Sequence, residues 1–123
     1  MDRKSYNNEY MNIHSHKYEK IFESDEGFPL GDENALQLAE LFTSLSDPSR
    51  LRILSVLLRG EKNVQQISQI VVMSHSAVSH QLRGLRQMRI VRTRKQGRMV
   101  FYSLDDDHVK ELFLLGLDHV CHE

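Results

Sequence analysis

Cysteine, proline and tryptophan are scarce in this chain of 123 residues, which has one cysteine, two prolines and no tryptophan. A single thiol, Cys121, excludes an intrachain disulfide and a cluster of thiolate metal ligands within one chain. The apolar runs are far too short to cross a bilayer, and the first residues have no apolar signal-peptide core. We therefore expect one domain with a tail, in a reducing cytoplasm and without a membrane partner.

An excess of one charge sign is also missing, because the formal net charge of the chain is −1. The charges are nevertheless segregated along the sequence. Residues 1–35 carry eight acidic side chains against four basic ones, whereas residues 83–98 carry seven basic side chains and no acidic one. A local excess of positive charge attracts a polyanion despite the near-neutral total. The basic segment is therefore the first indication of a nucleic-acid partner.

Helical patterns begin after a polar N-terminal stretch, residues 1–29, which we expect to be a mobile arm. Asp32 is the predicted N-cap of a first helix, because apolar residues recur after it at helical spacing. Asp47 and Pro48 predict a second helix, since aspartate is a common cap and proline fits the first helical position. The aliphatic stretch over residues 51–58 predicts that this helix is deeply buried.

A short helix and a longer one, joined by a tight turn, follow, with Asn63 and Ser74 as their predicted caps. This arrangement outlines a helix-turn-helix. Next come two β-rich runs, residues 90–94 and 99–103, around a turn at Gly97. A cationic hairpin after a helix-turn-helix makes a winged helix. We therefore predict a mainly α fold with a β-hairpin wing.

One side of the helix that follows Ser74 is polar and free of acidic residues, and the opposite side is apolar. Hydrogen-bonding side chains at this position can meet base edges in the major groove, and cations of the wing suit the flanking phosphates. The competing interpretation is an ordinary polar face and a solvated hairpin. The predicted DNA-binding residues are Ser74, His75, Ser76, Ser79, His80, Arg83, Arg94, Lys95 and Arg98.

The last predicted helix, from His108 to about Cys121, is preceded by three aspartates that offer caps. Imidazoles and leucines recur along it at spacings of four, three, four and three residues, which is the spacing of a helix-pairing seam: His108, Leu112, Leu115, His119 and His122. A second apolar stripe is predicted to pack on the chain's own core: Val109, Phe113, Gly116 and Val120. Asp106 and His108 can converge on one ion only if Asp106 lies in the helix cap.

One straight helix cannot join its two ends at one ion, because His108 and His119 are about 16 Å apart along the axis. Ligands of one ion lie within about 4 Å of each other. An antiparallel second copy solves this, since the register that pairs His108 with the partner's His119 also pairs Asp106 with the partner's His122. We predict two equivalent sites in a homodimer, each with Asp106 and His108 from one chain and His119 and His122 from the other. Three nitrogens and one oxygen suit tetrahedral Zn²⁺ or Co²⁺.

Other interpretations of the histidines stay open. A solvated, histidine-rich helix end is the simplest one, and a metal-independent or redox-responsive DNA-binding protein with Cys121 as its sensor is another. We interpret Cys121 as a packing residue, because it is rotated by roughly a third of a turn from His122. A zinc hydrolase is disfavoured, since the ligand set is closed and no Glu follows a ligand as in a His-Glu-x-x-His helix. We therefore expect no enzyme activity.

Three stretches carry a resemblance to a known family: LSDPSRLRIL at residues 45–54, SHSAVSHQL at 74–82 and RKQGR at 94–98. With the ligand set on the last helix, they resemble the ArsR/SmtB family of bacterial metal-sensing repressors over about residues 35–123. The resemblance implies a homodimeric winged-helix repressor that binds palindromic operator DNA and releases it on binding Zn²⁺ or Co²⁺. It also implies a hydrogen bond from His119 towards the backbone near Arg89, which would couple the metal site to the recognition helix.

The sequence departs from some members of that family. Their soft-metal sites use cysteines on the helix before the turn, whereas residues 61–66 have no thiol. His14 and His16 are a second source of ligands, since some relatives recruit an N-terminal arm to complete a nickel or cobalt shell. A nickel or cobalt sensor of that kind is the alternative, although a surface pair in a tail is the simpler interpretation. Whichever metal is bound, we expect residues 30–123 to form the winged-helix DNA-binding and dimerisation domain.

Overall fold

The computed structural model describes residues 29–122, and these contain five helices and one two-stranded sheet in the order ααααββα. The elements are α1 (Asp32–Ser44), α2 (Pro48–Leu57), α3 (Val64–Val71), α4 (His75–Gln87), β1 (Val91–Gln96), β2 (Met99–Leu104) and α5 (Asp107–Cys121). The described residues divide into two units, with the boundary between Glu40 and Leu41. Among the described residues, no helix has the length and apolar character that a membrane span needs. Most of the predicted arm, with His14 and His16, lies outside the described residues.

Four predicted features of the helix starts are present: the caps at Asn63, Ser74 and Asp106 and the proline at the start of α2. Asn63 accepts a hydrogen bond from the Gln66 N–H at 2.8 Å and the Gln66 side chain returns one to the Asn63 N–H at 2.9 Å, which is a complete capping box. The Ser74 hydroxyl accepts from the Ala77 N–H at 3.1 Å. Asp106 caps α5, and Pro48 occupies the first position of α2.

Two predicted caps differ from expectation. Asp32 is the first helical residue, and the Gly31 carbonyl before it accepts the first helical bond, from Ala35 at 2.9 Å. Asp47 occupies the N-cap position of α2, but its carboxylate makes no capping bond. The carboxylate accepts instead a local hydrogen bond from the Ser49 hydroxyl at 2.6 Å and a tertiary one from the Gln81 side chain of α4 at 3.0 Å.

The core is built by α2, α3, α4 and the start of β1. Its fully buried members are Ile53, Leu54, Leu57, Ile67, Val71, Val78, Leu82, Leu85, Ile90 and Val91. The prediction that residues 51–58 are deeply buried is only partly right, because Leu51 is 38% exposed and Leu58 half-buried. A helix that packs on one side leaves part of even an aliphatic stretch uncovered.

The β1–β2 hairpin is the predicted wing, paired antiparallel from Val91–Leu104 to Gln96–Met99. Gly97 turns it with a φ of 62°, a left-handed conformation that favours glycine. A further antiparallel bridge joins Lys62 to Tyr102 and fastens the wing to the loop before α3. The mainly α fold with a winged helix-turn-helix, as predicted, is confirmed.

The second apolar stripe of α5 packs on the core at its N-terminal end only. Val109 and Phe113 lie against the core cluster, as predicted. Val120 is 76% exposed, and Gly116 has open space where a Cβ would lie, so the prediction is wrong for the C-terminal half. There the stripe lines an open groove.

Candidate DNA interface and metal ligands

The recognition helix α4 separates its core side from its outward side as the sequence predicts. Val78, Leu82 and Leu85 are fully buried. Most predicted DNA-binding residues of this helix are exposed, with Ser79 half-buried: His75, Ser76, Ser79, His80 and Arg83. The Ser74 hydroxyl already accepts the capping hydrogen bond. It could contact DNA only through its other lone pair or by donating its proton. The first turn of α4 contains no acidic residue that would repel phosphate.

The wing carries exposed cations, and one of them is held by an intramolecular partner. Lys95 and Arg98 are exposed near the Gly97 turn. Arg94 instead forms a forked ion pair with Glu61, with its Nε 3.1 Å from Oε2, and lies over the Phe101 ring with 5.0 Å to the centroid. The hydrogen bond from Arg94 lowers the pKa of Glu61, against an opposing effect of burial. If Arg94 contacts DNA, Glu61 would compete with the phosphate for this guanidinium.

A second polar cluster was not foreseen from the sequence. Arg50 of α2 donates to the Gln81 side chain of α4 at 2.6 Å and to the Ser44 carbonyl at 2.9 Å. Gln81 donates in turn to Asp47 at 3.0 Å and to Ser49 at 3.1 Å. Arg50 and Gln81 are 31 residues apart, so no local pattern relates them. The only indication of this cluster in the sequence is Arg50 itself, a charged residue in a largely aliphatic helix.

The predicted metal ligands fall into two groups at opposite ends of α5. At the N-terminal end, Asp106 lies in the cap and its Oδ2 is 3.5 Å from His108 Nδ1, both side chains being about half exposed. This is the cap geometry on which their convergence depended. Burial raises the pKa of Asp106, but the Val109 N–H and the His108 side chain together lower it by more, so the net shift is downward.

At the C-terminal end, His119 lies in the last turn and is exposed. His122 is the C-cap with an extended backbone (φ −76°, ψ 128°), so it does not continue the helical face of His119 as predicted. Across the described residues, no group of three or more His, Cys, Asp or Glu side chains converges as a metal site. The donor set of a single chain is thus divided into two pairs.

Arg89, the residue implied to receive the signal from His119, comes just after the recognition helix. Its backbone is left-handed, with a φ of 58°. Its N–H donates to the Arg86 carbonyl at 3.0 Å, which ends α4 and turns the chain towards β1.

An apolar groove of about 390 Å³ runs between the end of α1, α2 and the outer side of α5. Its lining includes Phe42, Leu45, Leu112, Leu117 and Val120. Leu117 and Val120 are exposed in the isolated chain. Exposed apolar side chains that cluster in this way mark a surface for association.

Comparisons with known proteins agree with this architecture. The family model described as bacterial regulatory protein, arsR family, matches residues 47–93. The chain is 49% identical over 88 residues to the transcriptional repressor SmtB homolog of Synechocystis sp., covering 72% of this chain and 67% of that protein. It is 43% identical over 84 residues to the cadmium resistance transcriptional regulatory protein CadC homolog of Staphylococcus aureus, covering 68% and 69%.

A solved structure shows the same fold. It is the homodimeric winged helix-turn-helix DNA-binding domain of a possible ArsR-family transcriptional regulator from Mycobacterium bovis, with a TM-score of 0.69 and 26% identity over 78% of this chain and 92% of that one. The family model matches the helix-turn-helix and the first three residues of β1, and the two relatives are transcriptional regulators rather than enzymes. This chain therefore belongs to the arsR family of bacterial regulatory proteins.

Proposed function

We propose that this protein is a metal-sensing repressor that binds operator DNA as a homodimer and loses affinity for it when Zn²⁺ or Co²⁺ binds between the subunits. The observation that carries the proposal is the division of the donor set. Asp106 and His108 converge at one end of α5, and His119 and His122 lie at the other end. Each chain thus supplies half of the ligands of each of two sites, and it completes neither site alone.

The DNA-binding part of the proposal rests on charge and exposure. The outward side of α4 offers imidazoles, hydroxyls and Arg83 to the major groove, and Lys95 and Arg98 extend the positive surface along the wing. Residues 30–123 would form the DNA-binding and dimerisation domain. Residues 1–29 would form the arm.

The dimer part rests on the apolar groove. An α5 helix of a second chain laid antiparallel on the first would cover exposed apolar residues such as Leu117 and Val120. The homodimeric Mycobacterium bovis domain supports this assembly. In the symmetric arrangement, each contact is made twice, so two equivalent metal sites are expected.

The chemistry of the donors supports the choice of metal. One carboxylate and three imidazoles suit Zn²⁺ or Co²⁺, with Ni²⁺ as the third option. The Staphylococcus aureus relative bears cadmium resistance in its name, but a soft-metal site made of thiolates is not available here, because the only cysteine is Cys121. His14 and His16 would supply further ligands in the nickel or cobalt alternative.

Release of DNA would follow from the spacing of the two recognition helices. A bound ion would link the α5 helices of the two subunits across the interface. Half-sites of an operator lie about 34–36 Å apart, so a dimer held at another separation fits them poorly. In this chain Asp106 and His108 supply one side of the link and His119 and His122 the other. A coupling of about 1–3 kcal/mol would change affinity roughly five- to 150-fold.

Mixed dimers test the proposal directly. A variant without Asp106 and His108 and a variant without His119 and His122 should each lack the absorption of tetrahedral Co²⁺. Mixing and re-annealing them should restore about a quarter of the wild-type signal, because about half of the dimers are then mixed and each has one complete site. A chain that binds the ion by itself would gain nothing on mixing. Equal affinity for DNA with and without Zn²⁺ would reject the metal-sensing function.

The rival interpretation is a redox or metal-independent repressor. Cys121 is exposed and would be the sensor. The metal proposal expects the Cys121→Ser variant to retain its response to Zn²⁺ in a DNA-binding titration, whereas the redox alternative expects the variant to lose its response to oxidants.

A further inference from the structure

We propose that Arg50, Gln81 and Gly84 set the rotation of the recognition helix about its axis, and thereby the sequence specificity of DNA binding. The inference rests on the proposed function as a DNA-binding regulator. Gln81 lies on α4 between an exposed residue, His80, and a buried one, Leu82. It belongs to neither the reading side nor the core side of the helix.

The Gln81 amide is held in one orientation by groups of fixed polarity. Its Oε1 accepts from Arg50 Nε at 2.6 Å, and its Nε2 donates to Asp47 Oδ2 at 3.0 Å and Ser49 Oγ at 3.1 Å. A guanidinium can only donate and a carboxylate can only accept, so a flipped amide would lose two of the three bonds. The apolar contacts of α4 are non-directional, whereas these bonds weaken steeply with angle. They therefore select one rotation among those that the core tolerates.

Gly84 leaves room for the Arg50 guanidinium to pack against α4. A Cβ built at Gly84 would lie 3.0 Å from Arg50 Nη2, so the guanidinium would have to move by a few tenths of an ångström to admit it. Gly84 is three residues after Gln81 and therefore on the same side of α4. Glycine inside a helix is less stable than alanine, and the space needed by Arg50 is a physical reason for it here.

Arg50 also ties this arrangement to α1. Its Nη1 donates to the Ser44 carbonyl at 2.9 Å, at the end of the helix that contributes Phe42 to the apolar groove. One side chain thus joins the last turn of α1 to the recognition helix. A lysine would keep the charge but could not form the fork that reaches both acceptors.

The test compares sequence-specific with non-specific binding. The specific probe is a duplex that the wild-type homodimer selects from a random pool, and the non-specific probe is a scrambled duplex of the same length. Gln81→Met, Arg50→Lys and Gly84→Ala are measured at several salt concentrations, with thermal unfolding as the check on folding. Gln87→Met, at an exposed glutamine near the end of the same helix, is the matched control.

We expect the three variants to lose about tenfold or more in affinity for the selected duplex, since base-edge contacts are geometrically demanding. Affinity for the scrambled duplex should stay within about twofold and the salt slope should not change, because no phosphate contact is removed. Gly84→Ala should lose specificity without losing thermal stability, because alanine favours the helix. This combination separates positioning from a general loss of fold.

Two results would overturn the inference. An equal loss for both duplexes in folded variants would mean that these residues support DNA binding in general rather than its sequence specificity. An unchanged ratio of the two affinities in folded variants would mean that the rotation is set by the core alone. A wild-type protein that selects no duplex would reject the proposed function and this inference together, whereas a selective wild type with unaffected variants would reject this inference only.

Discussion

Asp106 divides the two oxygens of its carboxylate between two tasks, since Oδ1 accepts from the Val109 N–H at 3.2 Å while Oδ2 lies 3.5 Å from His108 Nδ1. The first contact starts α5. The second brings two ligand-type side chains together at the surface. One residue thus joins the local stability of the helix to the candidate metal site, and substitutions can separate these roles.

Asp106→Asn should keep the cap and weaken the site, because an amide oxygen still accepts from Val109 but is a poorer ligand than a carboxylate. Asp106→Ala should also destabilise the protein by about 1 kcal/mol through loss of the cap. Urea unfolding and Co²⁺ absorption titrations measure the two effects. Asp107→Asn, one residue further on, is the control, and wild-type Co²⁺ affinity in Asp106→Asn would remove Asp106 from the ligand set.

Glu61→Gln should strengthen DNA binding, because it frees Arg94 from a forked ion pair. If Arg94 then reaches a phosphate, the slope of log affinity against log salt should steepen by about 0.9. Fluorescence anisotropy at several salt concentrations gives this slope. Asp118→Asn changes the net charge equally on an exposed part of α5, so the same steepening there would point to overall charge rather than Arg94.

Val72 has a left-handed backbone, with φ 56° and ψ 55°, in the turn of the helix-turn-helix. A β-branched side chain is disfavoured there, whereas asparagine tolerates this conformation. Val72 is 85% exposed, so little burial is lost on replacement. Val72→Asn should raise the free energy of unfolding by about 1 kcal/mol. Val72→Ile should give no gain, and a lower stability of Val72→Asn in urea would contradict the expectation.

The hydroxyl of Ser68 is buried, with the residue 5% exposed, and it has no hydrogen-bond partner within residues 29–122. Removing an unsatisfied polar group should stabilise the protein, so Ser68→Ala is expected to raise the free energy of unfolding by about 1 kcal/mol. Ser55→Ala, at an exposed serine on α2, should change it little. A destabilised Ser68→Ala protein would mean that the hydroxyl has a partner in solution.

Asp47 makes the free energy of unfolding of the protein depend on pH in the acidic range. The Ser49 hydroxyl lowers the pKa of Asp47 below its ordinary value of 3.8, with burial opposing, and the nearby backbone N–H groups and Arg50 lower it further. A carboxyl with a depressed pKa contributes stability above its ordinary pKa, and this is lost as the pH falls through the lower folded value. The difference in unfolding free energy between wild type and Asp47→Asn should therefore shrink below about pH 4. A difference that is constant with pH would contradict this.

The features that the sequence predicts correctly depend on residues close together in the chain. The capping box at Asn63, the Ser74 cap and the Gly97 turn each involve a few neighbouring positions. The 3.5 Å approach of Asp106 Oδ2 to His108 Nδ1 is of the same kind, because it needs only that Asp106 lie in the cap, whereas their role as metal ligands stays a prediction. Helical periodicity likewise separated the core side of α4 from its outward side.

The features that sequence reasoning missed depend on how the elements pack. Arg50 meets Gln81 across 31 residues, and Arg94 meets Glu61 across 33. Val120 keeps the helical spacing of a core stripe and is nevertheless exposed, because the core ends before it. Hydrogen bonds within one turn are set by backbone geometry alone, so the order of residues determined them. Contacts between helices depend on the distance and angle at which whole elements meet, and only the tertiary structure decided those.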